Sequence, residues 1–219
     1  MKKYERLFIR GFNGMSNMVT ILKRYSLTTL TTALFTTLYF LIPIESLYFD
    51  KPAIQSGQWF RVFTGHLVHS DTTHLAWNLI GWFVLASVLE HRSRSLLVAA
   101  SAMGMLAVNL FLYSPISVLD IYCGLSGVLN SLLVVALWIV WQETNSKLII
   151  ATSIGSILKI MIEILTYEGL IVHISWPPSP ESHLAGFMGG VCLVAVSEAL
   201  RKRTPFMLER NKIKPTATP

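Results

Sequence analysis

The sequence predicts an all-α membrane protein, a six-helix bundle with both termini in the cytoplasm, and three observations predict it. Of 219 residues, 53% are hydrophobic and only 14% charged, whereas soluble domains carry about a quarter charged residues. Six apolar runs, each about 17 residues or more, are long enough to cross a hydrocarbon core. Fifteen of the 18 Lys and Arg fall on the side that would hold both termini, with Lys51 and Arg61 opposite and Lys159 within a span. The positive-inside rule makes the first side cytoplasmic. The formal charge of +6 therefore belongs to loops and ends facing membrane lipid, and no nucleic-acid partner is expected.

Residues 1–25 form a basic cytoplasmic segment with Lys2, Lys3, Arg6, Arg10, Lys23 and Arg24 against one acid, Glu5. It suits an amphipathic lead-in on anionic lipid. A signal peptide is the competing reading, but the first apolar run begins near Leu27 and lacks a small-residue cleavage site. Residues 26–200 form the membrane domain. Leu27 to Ile44 is the first span, its threonines able to bond back to helix carbonyls. The loop from Glu45 to about Thr73 carries Arg61 and several aromatics and suits the interfacial layer. His74 to Glu90, Leu96 to Tyr113, Leu125 to Trp141, Leu148 to Leu165 and His183 to Leu200 complete the six spans. Residues 201–219 form a basic, proline-containing cytoplasmic tail.

With the N-terminus inside, the second, fourth and sixth spans all enter from the outer face. That brings His74 and Asn78, Ser126, and His183 to one depth. Polar groups within a span cost several kcal/mol unless paired or used, so their coincidence points to a site. Gly127 and Ser131 on the fourth span, with Gly186 and Gly190 on the sixth, repeat a small-xxx-small spacing that lets helix backbones approach. His183 lies one turn before Gly186 on that face, and Ser126 adjoins Gly127. A Ser–His hydrogen bond of roughly 3 Å is then geometrically feasible, the minimum for activating a serine. No Asp or Glu is evident on these helices as a third member, so the sequence predicts a dyad. Asn78, His74 and the Ser126 backbone N–H are candidate oxyanion donors. Lys159 and Glu163, four apart, are expected to neutralise each other. His66 and His173 read as solvent-facing loop residues. Cys123 and Cys192 sit in apolar runs and read as packing residues, with no disulfide framework, metal motif or cofactor implied.

These residues resemble the rhomboid intramembrane serine proteases. The resemblance covers roughly Trp59 to Leu200 in order: Arg61, then His69-x4-His74-x3-Asn78, Glu90, Gly124-Leu125-Ser126-Gly127, and His183-x2-Gly186-x3-Gly190. It implies that Ser126 is the nucleophile, His183 the general base and then acid, and His74 with Asn78 the oxyanion site. His69, Arg61, Glu90, Gly124, Gly127, Gly186 and Gly190 would support the site, His69 by bracing the first outer loop. The fifth span and last outer loop would act as gate and lid. Within the family, Thr64-Gly65-His66-Leu67-Val68-His69 and Gly124-Leu125-Ser126-Gly127-Val128-Leu129 are most similar to the rhombosortase branch. That branch cuts GlyGly-CTERM tails from membrane-anchored substrates. Asn130 departs from the branch, which commonly has His there, and shares the helical face of Ser126.

The resulting expectation is a serine endopeptidase in the bacterial inner membrane, its site facing the periplasm, cleaving transmembrane substrates near the outer leaflet. A general rhomboid protease and an inactive rhomboid-like binder of membrane clients are the alternatives. A small transporter using His74, Asn78, Lys159 and Glu163 is a third reading, disfavoured by the single depth of the polar groups.

Overall fold

The computed structural model describes residue 20 and residues 23–169, 176 and 179–212. His173, most of the 1–25 segment and the end of the tail lie outside the described residues.

Helix α1, Ser26–Leu41, has sixteen residues, a rise of about 24 Å and so shorter than a hydrocarbon core of about 30 Å. Its threonines bond back as the sequence leads one to expect: Thr31 Oγ donates to Leu27 O at 2.7 Å and Thr36 Oγ to Thr32 O at 2.9 Å. Five further helices are long and apolar enough to cross a membrane. They are α4 (Thr72–Arg92), α5 (Arg94–Tyr113), α6 (Ser126–Thr144), α7 (Lys147–Thr166) and the membrane part of α8 (Pro180–Lys212). Two short helices, α2 (Lys51–Gln55) and α3 (Arg61–Thr64), interrupt the first long loop.

Local chemistry fixes the helix ends. Asp71 caps α4 by accepting from His74 N at 2.8 Å, and Ser93 caps α5 at Leu96 N. Each such cap contributes about 1 kcal/mol. Asn145 and Tyr167 close α6 and α7 in the left-handed conformation, φ 49° and 53°, which satisfies last-turn carbonyls. The sixth apolar span ends near Leu200, as the sequence suggests: it runs over Pro180–Arg201. The helix continues to Lys212.

Helix α6 lies centrally, packed against α4, α5, α7 and α8, while α1 packs on α4. The larger core joins Phe35 of α1 to Trp82, Ala86 and Leu89 of α4, Leu97 and Ala100 of α5, and Val128, Leu132 and Val135 of α6. Trp82 packs edge-on to Phe35 at 5.3 Å and donates its indole N–H to Thr31 Oγ at 2.9 Å. Its polar tip is thereby satisfied inside an apolar core. In contrast, α7 turns Leu148, Ile154, Leu158 and Leu165 outward, which suits a face against lipid.

The loop before α4 is more built than an interfacial coil. Strand β1 (Phe49–Asp50) pairs antiparallel with β2 (Ile121–Tyr122), with Phe49 opposite Tyr122. Gly124 N donates to Gly65 O at 2.9 Å. The first loop is thus stitched to the segment that delivers α6. A smaller core of Phe49, Ile54, Val108, Leu112 and Tyr122 fills the space beneath it.

At the opposite end of the bundle, Glu90 accepts from Leu27 N at 3.0 Å and from Thr28 N and Oγ at 2.8 Å, and pairs with Arg94 at 3.2 Å. Its carboxylate supplies partners to the otherwise orphaned first turn of α1. Arg92 approaches Glu143 at 3.8 Å, and Arg94 also donates to Lys23 O.

Candidate active site

Helices α4, α6 and α8 begin at the same end of the bundle, and their first turns enclose a cavity of about 780 Å³. Ser126, the first residue of α6, follows Gly124, whose φ of +112° favours glycine. That turn aims the serine at α8. His183 Nε2 lies 2.9 Å from Ser126 Oγ.

The close approach is a backbone matter. A Cβ added to Gly186 would overlap the carbonyl oxygen of Gly127, and one added to Gly190 would come within 2.7 Å of Ser131 O. Gly127 is equally constrained, since a Cβ there would meet Val108 at 2.6 Å and Ser182 O at 2.9 Å. The small residues of the two helices therefore face one another in register, one turn below the Ser–His pair. Ser131 adds a hydrogen bond from Oγ to Ala100 O at 2.8 Å, tying α6 to α5.

His74 and Asn78 are buried on α4 and line the same cavity. The imidazole of His74 packs on Gly124, where any Cβ would come within 2.5 Å of Nε2. Ser70 N donates to Nδ1 at 3.5 Å, and Ser70 Oγ lies 3.1 Å from the same atom. A ring that accepts at Nδ1 carries its proton on Nε2, the nitrogen beside Gly124. Asn130 also lines the cavity, its amide donating to Ser126 O at 2.9 Å.

The supporting residues fall into two groups. Gly124, Gly127, Gly186 and Gly190 touch the site's backbone, and His69 stacks edge-on to His74 with centroids 5.1 Å apart. Arg61 and Glu90 do not line the cavity. Arg61 donates to Tyr48 O at 2.9 Å and Glu45 O at 3.0 Å, so it braces the loop before α4. Glu90 braces the far end of the bundle.

One expectation fails. His66 is not solvent-facing: it is 1% exposed and lies 3.3 Å from Asn109 Oδ1, its ring against Tyr122. Pairing of β1 with β2 buries it, and burial pushes it down to about 4. Burial, aided by His74, likewise pushes His69 down to about 3. A second finding concerns an acid outside the three helices on which the sequence shows none. Glu163 on α7 places Oε2 3.1 Å from His183 Nδ1, on the side of the ring opposite Ser126, while both its oxygens accept from Lys159 at 2.7 Å. The Lys–Glu pair expected from spacing is present, but the carboxylate also reaches across to α8. The signal was an acid inside a span; its local lysine accounted for it too readily.

Tyr122 is a further contributor not foreseen. Fully buried beneath the site, its hydroxyl donates to Gly124 O at 2.9 Å, and burial pushes the phenol upward. It supports the turn on which Ser126 sits. Cys123 is buried, and its thiol is pushed up to about 12, chiefly by that burial. Such a thiol is not nucleophilic near neutral pH. Among the described residues, no group of three or more His, Cys, Asp or Glu side chains is arranged to hold a metal ion.

A hydroxyl bonded to an imidazole, beside buried amide and imidazole groups in a cavity at the first turns of three apolar helices, has the parts needed for acyl transfer. The chain belongs to the rhomboid family of intramembrane proteases, whose Rhomboid domain matches residues 56–198. It is similar to a Bacillus subtilis (strain 168) protein named "Putative rhomboid protease YdcA", 27% identical over 199 residues, which cover 85% of this chain and 94% of that one.

Proposed function

We propose that this protein is an intramembrane serine endopeptidase in which Ser126 is the nucleophile and His183 the general base. The observation that carries the proposal is the 2.9 Å contact between Ser126 Oγ and His183 Nε2 within a cavity shared with His74 and Asn78. As Ser126 Oγ attacks a peptide carbonyl, its proton passes to Nε2. Negative charge then develops on the former carbonyl oxygen, for which Asn78, the Nε2–H of His74 and the Ser126 backbone N–H are the donors. Each such donor is worth about 100- to 1,000-fold in rate. Collapse expels the amine, which takes the proton from His183, leaving an acyl-enzyme. A water activated by the same imidazole hydrolyses the ester and restores the serine.

The substrate class follows from the depth of the site. Peptide reaching it comes from a transmembrane segment, and its helix must unwind locally because helical carbonyls are already bonded. The charge distribution supports cytoplasmic termini, with residues 1–25 and 201–219 flanking a membrane domain of residues 26–200. Such a topology in a bacterial inner membrane turns the cavity toward the periplasm. Ser26–Leu41, though short, serves in this topology as the first of six spans.

Thr64 to His69 and Gly124 to Leu129 support the finer assignment of rhombosortase-type processing of GlyGly-CTERM tails. Small residues at the scissile bond would ease unwinding. The experiment is fluorophosphonate labelling of the purified protein, followed by co-expression with a GlyGly-CTERM-tailed reporter. Wild type is expected to label and to shorten the reporter, and Ser126→Ala to do neither. Equal labelling of both proteins would remove Ser126 as nucleophile. An uncut reporter beside an efficiently cut generic transmembrane substrate would leave a general rhomboid protease in its place.

A further inference from the structure

We infer that Glu163 is a positioning residue for His183, making the site a three-member relay assembled from α6, α7 and α8 instead of a two-member one. The inference rests on the assignment of Ser126 and His183 as nucleophile and base. A neutral imidazole carries one ring proton, and only the form protonated on Nδ1 leaves Nε2 free to accept from a serine hydroxyl. Both nitrogens have a partner here: Nε2 lies 2.9 Å from Ser126 Oγ and Nδ1 lies 3.1 Å from Glu163 Oε2. An ionised carboxylate can only accept. Its presence therefore places the proton on Nδ1 and points the basic lone pair of Nε2 at the serine.

The surroundings favour the ionised form of Glu163. Lys159 Nζ donates to both carboxylate oxygens at 2.7 Å, and the Glu163 side chain is 5% exposed. An acid so enclosed within a spanning helix is costly unless paired. Lys159 alone would satisfy that requirement from the same helix, one turn away. It does not account for the direction in which the carboxylate points, across the helix boundary to the far nitrogen of the ring that contacts Ser126. Lys159 and Glu163 both line the cavity, so the pair stands within the site and not behind it.

During proton transfer the arrangement has a second effect. When Nε2 takes the serine proton, the ring becomes a cation whose Nδ1–H points at a carboxylate. The charge that appears is met by one already in place, and the carboxylate itself keeps no proton. In this role Glu163 acts through the ring.

The experiment must separate this role from that of a structural ion pair. Removing Glu163 alone strands Lys159, so the informative variant is Lys159→Met/Glu163→Leu, which removes both charges and keeps apolar volume. Three quantities are read on detergent-purified protein: the midpoint of thermal unfolding, the rate constant of fluorophosphonate labelling, and the His183 tautomer from ¹⁵N-histidine NMR, assigned with His183→Asn. In a soluble triad, exchanging the carboxylate for an amide lowers kcat about 10,000-fold. Sharing Glu163 with Lys159 weakens its hold, so a fall of about 10- to 1,000-fold in labelling is expected with an unchanged unfolding midpoint. Neutral His183 of wild type is expected to be protonated on Nδ1.

Labelling of the double variant at the wild-type rate overturns the inference while leaving the Ser126–His183 assignment intact. So does a wild-type His183 ring protonated on Nε2, a readout that requires no folded charge-removal variant. Failure of wild type itself to label under conditions where it cleaves nothing would overturn the assignment beneath it, and the inference with it.

Discussion

Helices α7 and α8 both contribute a side chain to the imidazole–carboxylate contact, yet they are attached to the rest of the molecule in different ways. Helix α8 meets α6 through glycine, with main chain against main chain at Gly186 and Gly190. Helix α7 meets α8 through the Glu163–His183 side-chain contact and turns Leu148, Ile154, Leu158 and Leu165 outward. A methyl group added at Gly155 on α7 would meet no atom of the described residues within 4 Å, whereas Gly186 has no room for one. The difference teaches that the serine and the imidazole are held by backbone shape, which tolerates almost nothing. The acid is held by charge and hydrogen bonding on a helix with space around it.

The largest effect should come from Gly186→Ala. Its methyl group cannot be accommodated without separating α6 from α8, so labelling at Ser126 is expected to fall by more than about 100-fold and stability by about 1–3 kcal/mol, the usual range for overpacking. Near-normal labelling would mean that the glycine contact does not set the Ser–His distance.

Acid tests the same rigid side of the site through its loop. His66 and His69 are buried neutral, at about 4 and about 3. Unfolded histidine titrates near 6.5, so between these values the unfolded chain binds more protons than the folded one. Stability is therefore fully present above about pH 6.5 and falls as pH drops toward 4 and then 3. At pH 5 the loss is about 2 kcal/mol per histidine. Thermal unfolding at pH 7.5 and pH 5 measures it, and His66→Asn should remove about half of the two-histidine loss. A pH-independent midpoint would show that these rings remain accessible to water.

The smallest effect belongs to Gly155→Ala on α7. With open space around the added methyl and a better helix former in place, stability should stay level or rise by up to about 1 kcal/mol, with labelling unchanged. A loss comparable to that of Gly186→Ala would erase the contrast between the two helices.

Much of this was legible in the chain itself because the bilayer imposes a strong pattern. Five long apolar helices, their order and the small-residue register of Gly127 and Ser131 with Gly186 and Gly190 follow from hydropathy and spacing. Those features bring Ser126 and His183 into one region. What escaped was whatever depended on a contact between segments with no shared periodicity. His66 is buried because β1 pairs with a two-residue strand 72 positions later, a bond set no loop composition announces. Glu163 had a complete local explanation in Lys159, and its second partner lies on another helix 20 residues on. Tyr122 supports the serine turn through one hydroxyl, which a sequence reads simply as an aromatic before a glycine.

The anchoring of α1 by Glu90 bears on how the protein is made. The backbone N–H of Thr28 finds its carboxylate partner 62 residues further along the chain. At about 5–20 residues per second of synthesis, the first helix waits roughly 3 to 12 seconds for the group that completes its end. Until then water must satisfy those donors. The end of α1 is thus completed only once α4 has been made.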